Sequence, residues 1–230
     1  MGRLGVITGL AREADCIGAV SPQPERPLVR CVGGDAKRAG EAARSLVAEG
    51  CIGLVSFGIA GGLQPTLVPG TLVVATSVIG PNRSRVHCDP AWRRRLMAAL
   101  GINFAVEGSD VVGRDRPVLS STEKRRLHER TGAAAADMES HAVAHIAAEL
   151  GIPFLAVRAI SDPVDRDIPA WVPGLVGADG RPRAWTVIAG LAAHPHHVPA
   201  VISLGRDSEK AFAALRRVAL TAGPLLQFGA

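Results

Sequence analysis

AAAADMESHAVAHIAAELGIPFLAVRAISDP, residues 133–163, sets a helix directly against a buried strand. Met138, Ala142, Val143, Ile146 and Leu150 recur at helical spacing and define one apolar face, and Gly151 suits the C-terminal stop. Residues 152–160 then run almost without a polar break, as a strand buried on both faces does, and end in Ser161, Asp162 and Pro163. A helix feeding an unbroken apolar strand is the unit of an α/β fold.

The same alternation extends in both directions. Residues 4–8 form a short apolar strand that stops at Gly9, and residues 28–32 a second strand beyond a Pro-rich connection with Pro22, Pro24 and Pro27. Residues 35–49 read as a helix capped by Asp35, with Ala39, Ala42, Ala43, Leu46 and Val47 as its apolar stripe. Residues 52–57 are a buried strand, followed by the glycine-rich segment GIAGGL at 58–63, and residues 71–79 are a further β-branched strand. Helices are expected at 91–100, 122–130, 184–193 and 208–220, with Ser120 and Glu123 forming a capping box before the second. No internal repeat interrupts the pattern, and one domain over residues 1–230 is the simplest organisation.

Composition narrows the possible functions. No stretch of about 18 apolar residues escapes charge or proline, and the N-terminus lacks the blocks of a signal peptide; the expectation is a cytoplasmic protein. Cys16, Cys31, Cys51 and Cys88 are widely spaced with no CxxC pair, so reduced, mostly buried thiols are expected. His141 and His145 lie one helical turn apart but opposite the apolar stripe, and His194, His196 and His197 surround Pro195 in a loop; no metal is expected. The net charge of +5 gathers at Arg93 to Arg95, Lys124 to Arg126, and Arg216 with Arg217. Each group lies on an amphipathic helix, where a solvated face is the plain reading and transient contact with a membrane surface is reasonable. Aromatic residues are scarce, Tyr is absent, and no basic and aromatic array suits nucleic acid.

Polar groups at the carboxyl ends of buried strands are favoured places for ligand chemistry. Glu13, the loop from Gly58 to Gly62, Glu139, and the trio Arg158, Ser161 and Asp162 all fall there. Singly each has an ordinary structural reading, as turn chemistry, a complement to a helix dipole, or a turn initiator. Arg158 is harder to set aside, because a charge inside an apolar strand needs a partner or a ligand.

Their order is more specific than any one of them. A Glu after the first strand, a Gly-Gly loop, a Met-Glu pair opening a helix, and an Arg-x-x-Ser-Asp strand end resemble the superfamily of purine nucleoside phosphorylases and adenosylhomocysteine/methylthioadenosine nucleosidases. The resemblance covers about three quarters of the chain and implies a three-layer α/β/α sandwich with a mixed central sheet. It also implies that Asp162 hydrogen-bonds or protonates N7 of adenine, that Ser161 positions Asp162, and that Glu139, beside Met138, binds the ribose hydroxyls. Glu13, with Arg158 nearby, matches the position that orients an attacking water, while Gly61 and Ile59 belong to the substrate loop. The chemistry agrees, since breaking the C–N bond leaves negative charge on the base and positive charge on the sugar. An acid working near neutral pH needs a raised pKa, which burial of Asp162 would favour.

The string SDPVDRDIP, the DMES spelling, and the tail with DGRPR and AHPHHVPAVISLG are similar to the hopanoid-associated phosphorylase group. That likeness implies adenosylhopane, a triterpenoid joined to adenosine, as substrate, and a homodimer as the assembly. Methylthioadenosine, adenosylhomocysteine or a futalosine-like compound is the alternative. Ile59 stands where many relatives carry Ser or Thr, so the attacking group stays open: phosphate as co-substrate, favoured slightly by the family name, or water, favoured by Glu13. Backbone N–H groups of Gly9 or of the loop could still hold an anion. No other cofactor is implied. A triterpenoid tail needs a wide apolar channel, for which Ile168, Trp171, Val172, Leu175 and Val176 are candidates.

Overall fold

A computed structural model describes residues 2–18 and 26–229, so the proline-rich connection lies largely outside the described residues. The centre is a mixed sheet of ten strands among the described residues. β1 (Arg3–Thr8) lies between β2 (Leu28–Cys31) and β3 (Cys51–Gly62), all parallel. β3 continues beside β10 (Phe154–Asp162), also parallel, and every residue of β10 is buried. That burial on both faces is why residues 152–160 carry no alternation.

Residues 71–79 are not one strand. β4 (Leu72–Val74) pairs antiparallel with β10 and parallel with β7 (Val106–Glu107), whereas β5 (Ser77–Ile79) pairs with β6 (Arg85–His87) and β8 (Val111–Gly113). β9 (Ala135–Asp137) joins β8 to the far end of β3. The ladder runs β6-β5-β8-β9-β3-β10-β4-β7, so β4 and β5, adjacent in the chain, have four strands between them. A two-residue link spans only about 7 Å, and the sheet must curl to bring them together. The apolar pattern at 71–79 is equally strong on both sides of the break, which is why it gave no sign of a corner.

Helices cover the sheet. α2 (Ala36–Ala48) packs on α5 (Ser140–Leu150), which lies over β3. α7 (Val198–Ala222) packs on β10, and α1 (Ala11–Gly18) and α3 (Pro90–Leu100) pack against α7. α7 starts ten residues before the expected helix at 208, and α1 forms in a segment for which no helix is expected. α4 (Ser121–Thr131) is capped by Ser120, whose hydroxyl accepts from the Glu123 N–H, and Asp35 caps α2 through the Arg38 N–H at 2.9 Å. α6 (Ala184–Ala193) packs chiefly on the short turns at 172–175 and 195–197. α5 begins at Ser140, so Met138 precedes it, and Leu150 is exposed rather than packed.

The main core cluster runs through Leu4, Ile7, Leu54, Phe57, Val157 and Leu215, and a smaller one gathers Leu63, Ile79, Val112, Leu127, Ala133 and Ala136. Cys16, Cys51 and Cys88 are buried free thiols and Cys31 is partly buried. Among the described residues no single helix is long and apolar enough to cross a membrane.

Candidate active site

The site arises where β3 changes partner. Along one edge β3 pairs with β1 as far as Ser56 and with β9 from Gly61, leaving a gap between the two ladders. Glu13 of α1 fills it. Its Oε1 accepts the Ile59 N–H, and its Oε2 accepts the N–H groups of Gly9 and Leu10, all at 2.8 Å. A side chain at Gly58 would place Cβ 2.6 Å from Glu13 Oε1, and one at Gly9 would meet Glu139 Oε1 at closer range still. Both glycines are bare because carboxylates press against their backbone.

On the other edge of β3 the register with β10 slips at Ser161, bringing Asp162 opposite Gly61. Such an irregularity re-aims side chains. The Ser161 hydroxyl donates to Asp162 Oδ1 at 2.6 Å, and a Cβ on Gly61 would stand 3.2 Å from Asp162 Oδ2.

Lys124, expected on a solvated basic face, is fully buried. Its Nζ donates to Asp162 Oδ2 at 2.5 Å and to the carbonyls of Pro163 and Arg166 at 2.9 and 2.8 Å, which uses all three ammonium protons. Asp162 is therefore one half of a buried ion pair, not the isolated acid that burial alone suggested.

Arg158 also has its partner. Its Nε donates to Asp137 Oδ2 at 2.5 Å, its Nη2 donates to Ser56 Oγ at 2.5 Å, and the same nitrogen lies 3.8 Å from Glu139 Oε2. Asp137 is in turn fixed by the Ser140 N–H and hydroxyl. Three buried carboxyl groups, Glu13, Asp137 and Glu139, thus surround one guanidinium. One cation does not balance three anions, and proton affinity rises to make up the difference. Burial pushes Glu13 up, against the backbone N–H groups and Arg158, which pull it down. Glu139 is pushed up to about 8, first by burial and then by repulsion from Asp137.

Glu13, Glu139, Asp162, Ser161, Met138, Ile59 and Gly61 line a single cavity of about 360 Å³. Arg158 lies behind it and holds the acidic side chains. Gly33 and Gly34, both in the left-handed region, form another part of its wall. Ile168, Val172, Pro173, Val176 and Leu204 make the wall apolar. Two of the channel candidates turn away from it: Trp171 stacks on His194 and donates to His197 Nδ1 at 3.0 Å, while Leu175 is buried elsewhere. His145 is exposed as expected, but His141 is mostly covered and faces Asp115 at 3.2 Å. The ring nitrogens of His194, His196 and His197 come within 4.8 Å of one another at the break before α7.

Sequence reasoning missed Lys124 and Asp137. Asp137 sat inside the quoted DMES motif, where Arg158 in need of an anion was the available clue. For Lys124 the clue was its place one turn before Leu127, on the inward stripe of α4.

The curled mixed sheet and its carboxyl-lined cavity define an enzyme of the nucleoside phosphorylase and nucleosidase class. The chain belongs to the phosphorylase superfamily, whose family model matches residues 27–174. It is similar in fold to the futalosine hydrolase of Helicobacter pylori, at 15% identity and a TM-score of 0.72, with 96% of each chain covered. It is likewise similar to the 5'-methylthioadenosine/S-adenosylhomocysteine nucleosidase of Neisseria meningitidis, at 19% identity and a TM-score of 0.72 over 95% of this chain and 97% of that one. The S-adenosylhomocysteine nucleosidase of Streptococcus pyogenes aligns at 16% identity and a TM-score of 0.71, covering 96% and 95%.

Proposed function

We propose that this enzyme hydrolyses the N-glycosidic bond of an adenine nucleoside with a large apolar 5' group, adenosylhopane being the compound that the sequence resemblance implies. The observation that carries the reading is the convergence of Asp162 with Glu139 and Glu13 on one cavity that also has an apolar wall.

In this reading Asp162 meets N7 of adenine, takes up a proton from solvent as the nucleoside binds, and delivers it to N7 as the C1'–N9 bond breaks and its electron pair passes to the base. The Lys124 ammonium stabilises the carboxylate left behind. Positive charge develops on C1' and the ring oxygen, and Glu139 accepts hydrogen bonds from the ribose hydroxyls beneath it. The incoming cation favours the ionised form of a carboxyl that burial otherwise keeps protonated. Water attacks C1', its proton goes to Glu13, and the products are free adenine and a reducing ribosyl compound.

Water is favoured over phosphate as the attacking group because the anion-holding donors are taken. The N–H groups of Gly9, Leu10 and Ile59 all donate to Glu13, so a carboxylate already occupies the place a phosphate would need. This reverses the slight preference that the family name gave to phosphorolysis. The likeness to nucleosidases keeps methylthioadenosine, adenosylhomocysteine and futalosine as the alternative substrates.

Adenine or base release from these compounds and from a lipid-linked adenosine distinguishes them. The lipid nucleoside is expected to show the highest kcat/KM, and V172N/V176N to lower it at least tenfold while sparing methylthioadenosine. A preference for the short-chain nucleosides, or equal loss on both, overturns the lipid assignment.

A further inference from the structure

α6 has the composition of a core helix and the placement of a surface one. Its sequence, AWTVIAGLAA, carries no charge, yet none of its residues is buried. Trp185 is 82% exposed and Ile188 56%, and Ile202 in the first turns of α7 adds another half-exposed apolar side chain. Large apolar side chains clustered on a water-facing helix mark a contact surface.

Within its own stretch of chain, between Asp179 and Asp207, the charges are of one sign. From Gly180 to Arg206 the chain contains Arg181, Arg183 and Arg206, together with three histidines, and no Asp or Glu. All three arginines are exposed. At ten residues α6 is about 15 Å long, half of the roughly 30 Å hydrocarbon thickness of a bilayer, and the chain turns by 107° between it and α7. It is too short to span a bilayer and is set crosswise to the helix that follows.

We propose that α6, with the first turns of α7, docks the enzyme on the surface of an anionic lipid bilayer, Trp185 and Ile188 entering the headgroup region and the arginines facing the phosphates. The charge pattern selects this occupant over a second copy of the chain. A two-fold contact sets the same patch against itself, and this stretch has no acidic residue to meet its own cations. The surface adjoins the catalytic cavity, because α6 packs on the turn at 172–175, whose Val172 and Pro173 line the cavity, as does Leu204 of α7. A lipid-borne nucleoside therefore reaches the site from the docked face. The purpose of docking rests on the lipid-substrate reading above; the surface itself does not.

The test is sedimentation of the full chain with vesicles of phosphatidylglycerol and phosphatidylcholine, against vesicles of phosphatidylcholine alone. Binding at least tenfold stronger to the anionic vesicles is expected, with at least a tenfold loss in W185D/I188D and in R181E/R183E, both melting at the wild-type temperature. Wild-type protein that stays in the supernatant, or variants that bind as the wild type does, would overturn the proposal. So would a W185D/I188D protein that turns a vesicle-free dimer into a monomer, which assigns the face to a second copy. Vesicle binding without adenine release from a lipid nucleoside supports docking and sinks the substrate reading instead.

Discussion

Burial and the neighbouring Asp137 push the Glu139 carboxyl up to about 8, and this has a direct consequence for stability. The folded protein holds a proton that the unfolded chain, with an ordinary Glu near 4.3, releases. Between those values the native state binds more protons than the unfolded one, so this group's contribution falls as pH rises and is fully lost above about 8. E139Q removes the titration. Relative to wild type the variant should gain a few kcal/mol on going from pH 4 to pH 9, read from urea unfolding at each pH; a difference that stays constant across that range contradicts the electrostatic account. Glu13, Glu139 and Asp162 were readable as candidates because all three sit at the ends of apolar segments, where a carboxyl has little other reason to be. Their partners were not readable, since pairing across β3 depends on which strand ends meet.

At the scale of elements, α4 and the break between β4 and β5 show where pattern reading stops. A run of Lys124, Arg125 and Arg126 looks like solvent-facing charge, and two of the three are exposed. The helix turns the first inward, and the register slip at Ser161 turns Asp162 to meet it. Removing one partner of a buried pair leaves an uncompensated charge, at a cost of about 3–5 kcal/mol. K124M is expected to lose stability of that order in urea unfolding, whereas K124M/D162N should lose clearly less than the two single changes added together. Additive losses would show that the pair is not energetically coupled. The corner at Ala75 and Thr76 has no such chemical signature; it is set by which strands the two halves join.

Across the whole molecule, the alternation of apolar strands and helices was sufficient for the α/β class, but the curl of the sheet, the gap in β3 and the exposed face of α6 are products of assembly. The gap is what matters for chemistry. It admits Glu13 and commits three backbone donors to it, which is the basis for proposing water as the attacking group. Reaction in phosphate-free buffer made with ¹⁸O-labelled water, followed by mass spectrometry of the sugar product, tests this most directly. The account predicts free adenine at an undiminished rate and a reducing ribosyl product carrying one ¹⁸O at C1'. Adenine release that depends on added phosphate and yields an unlabelled ribosyl 1-phosphate would contradict it.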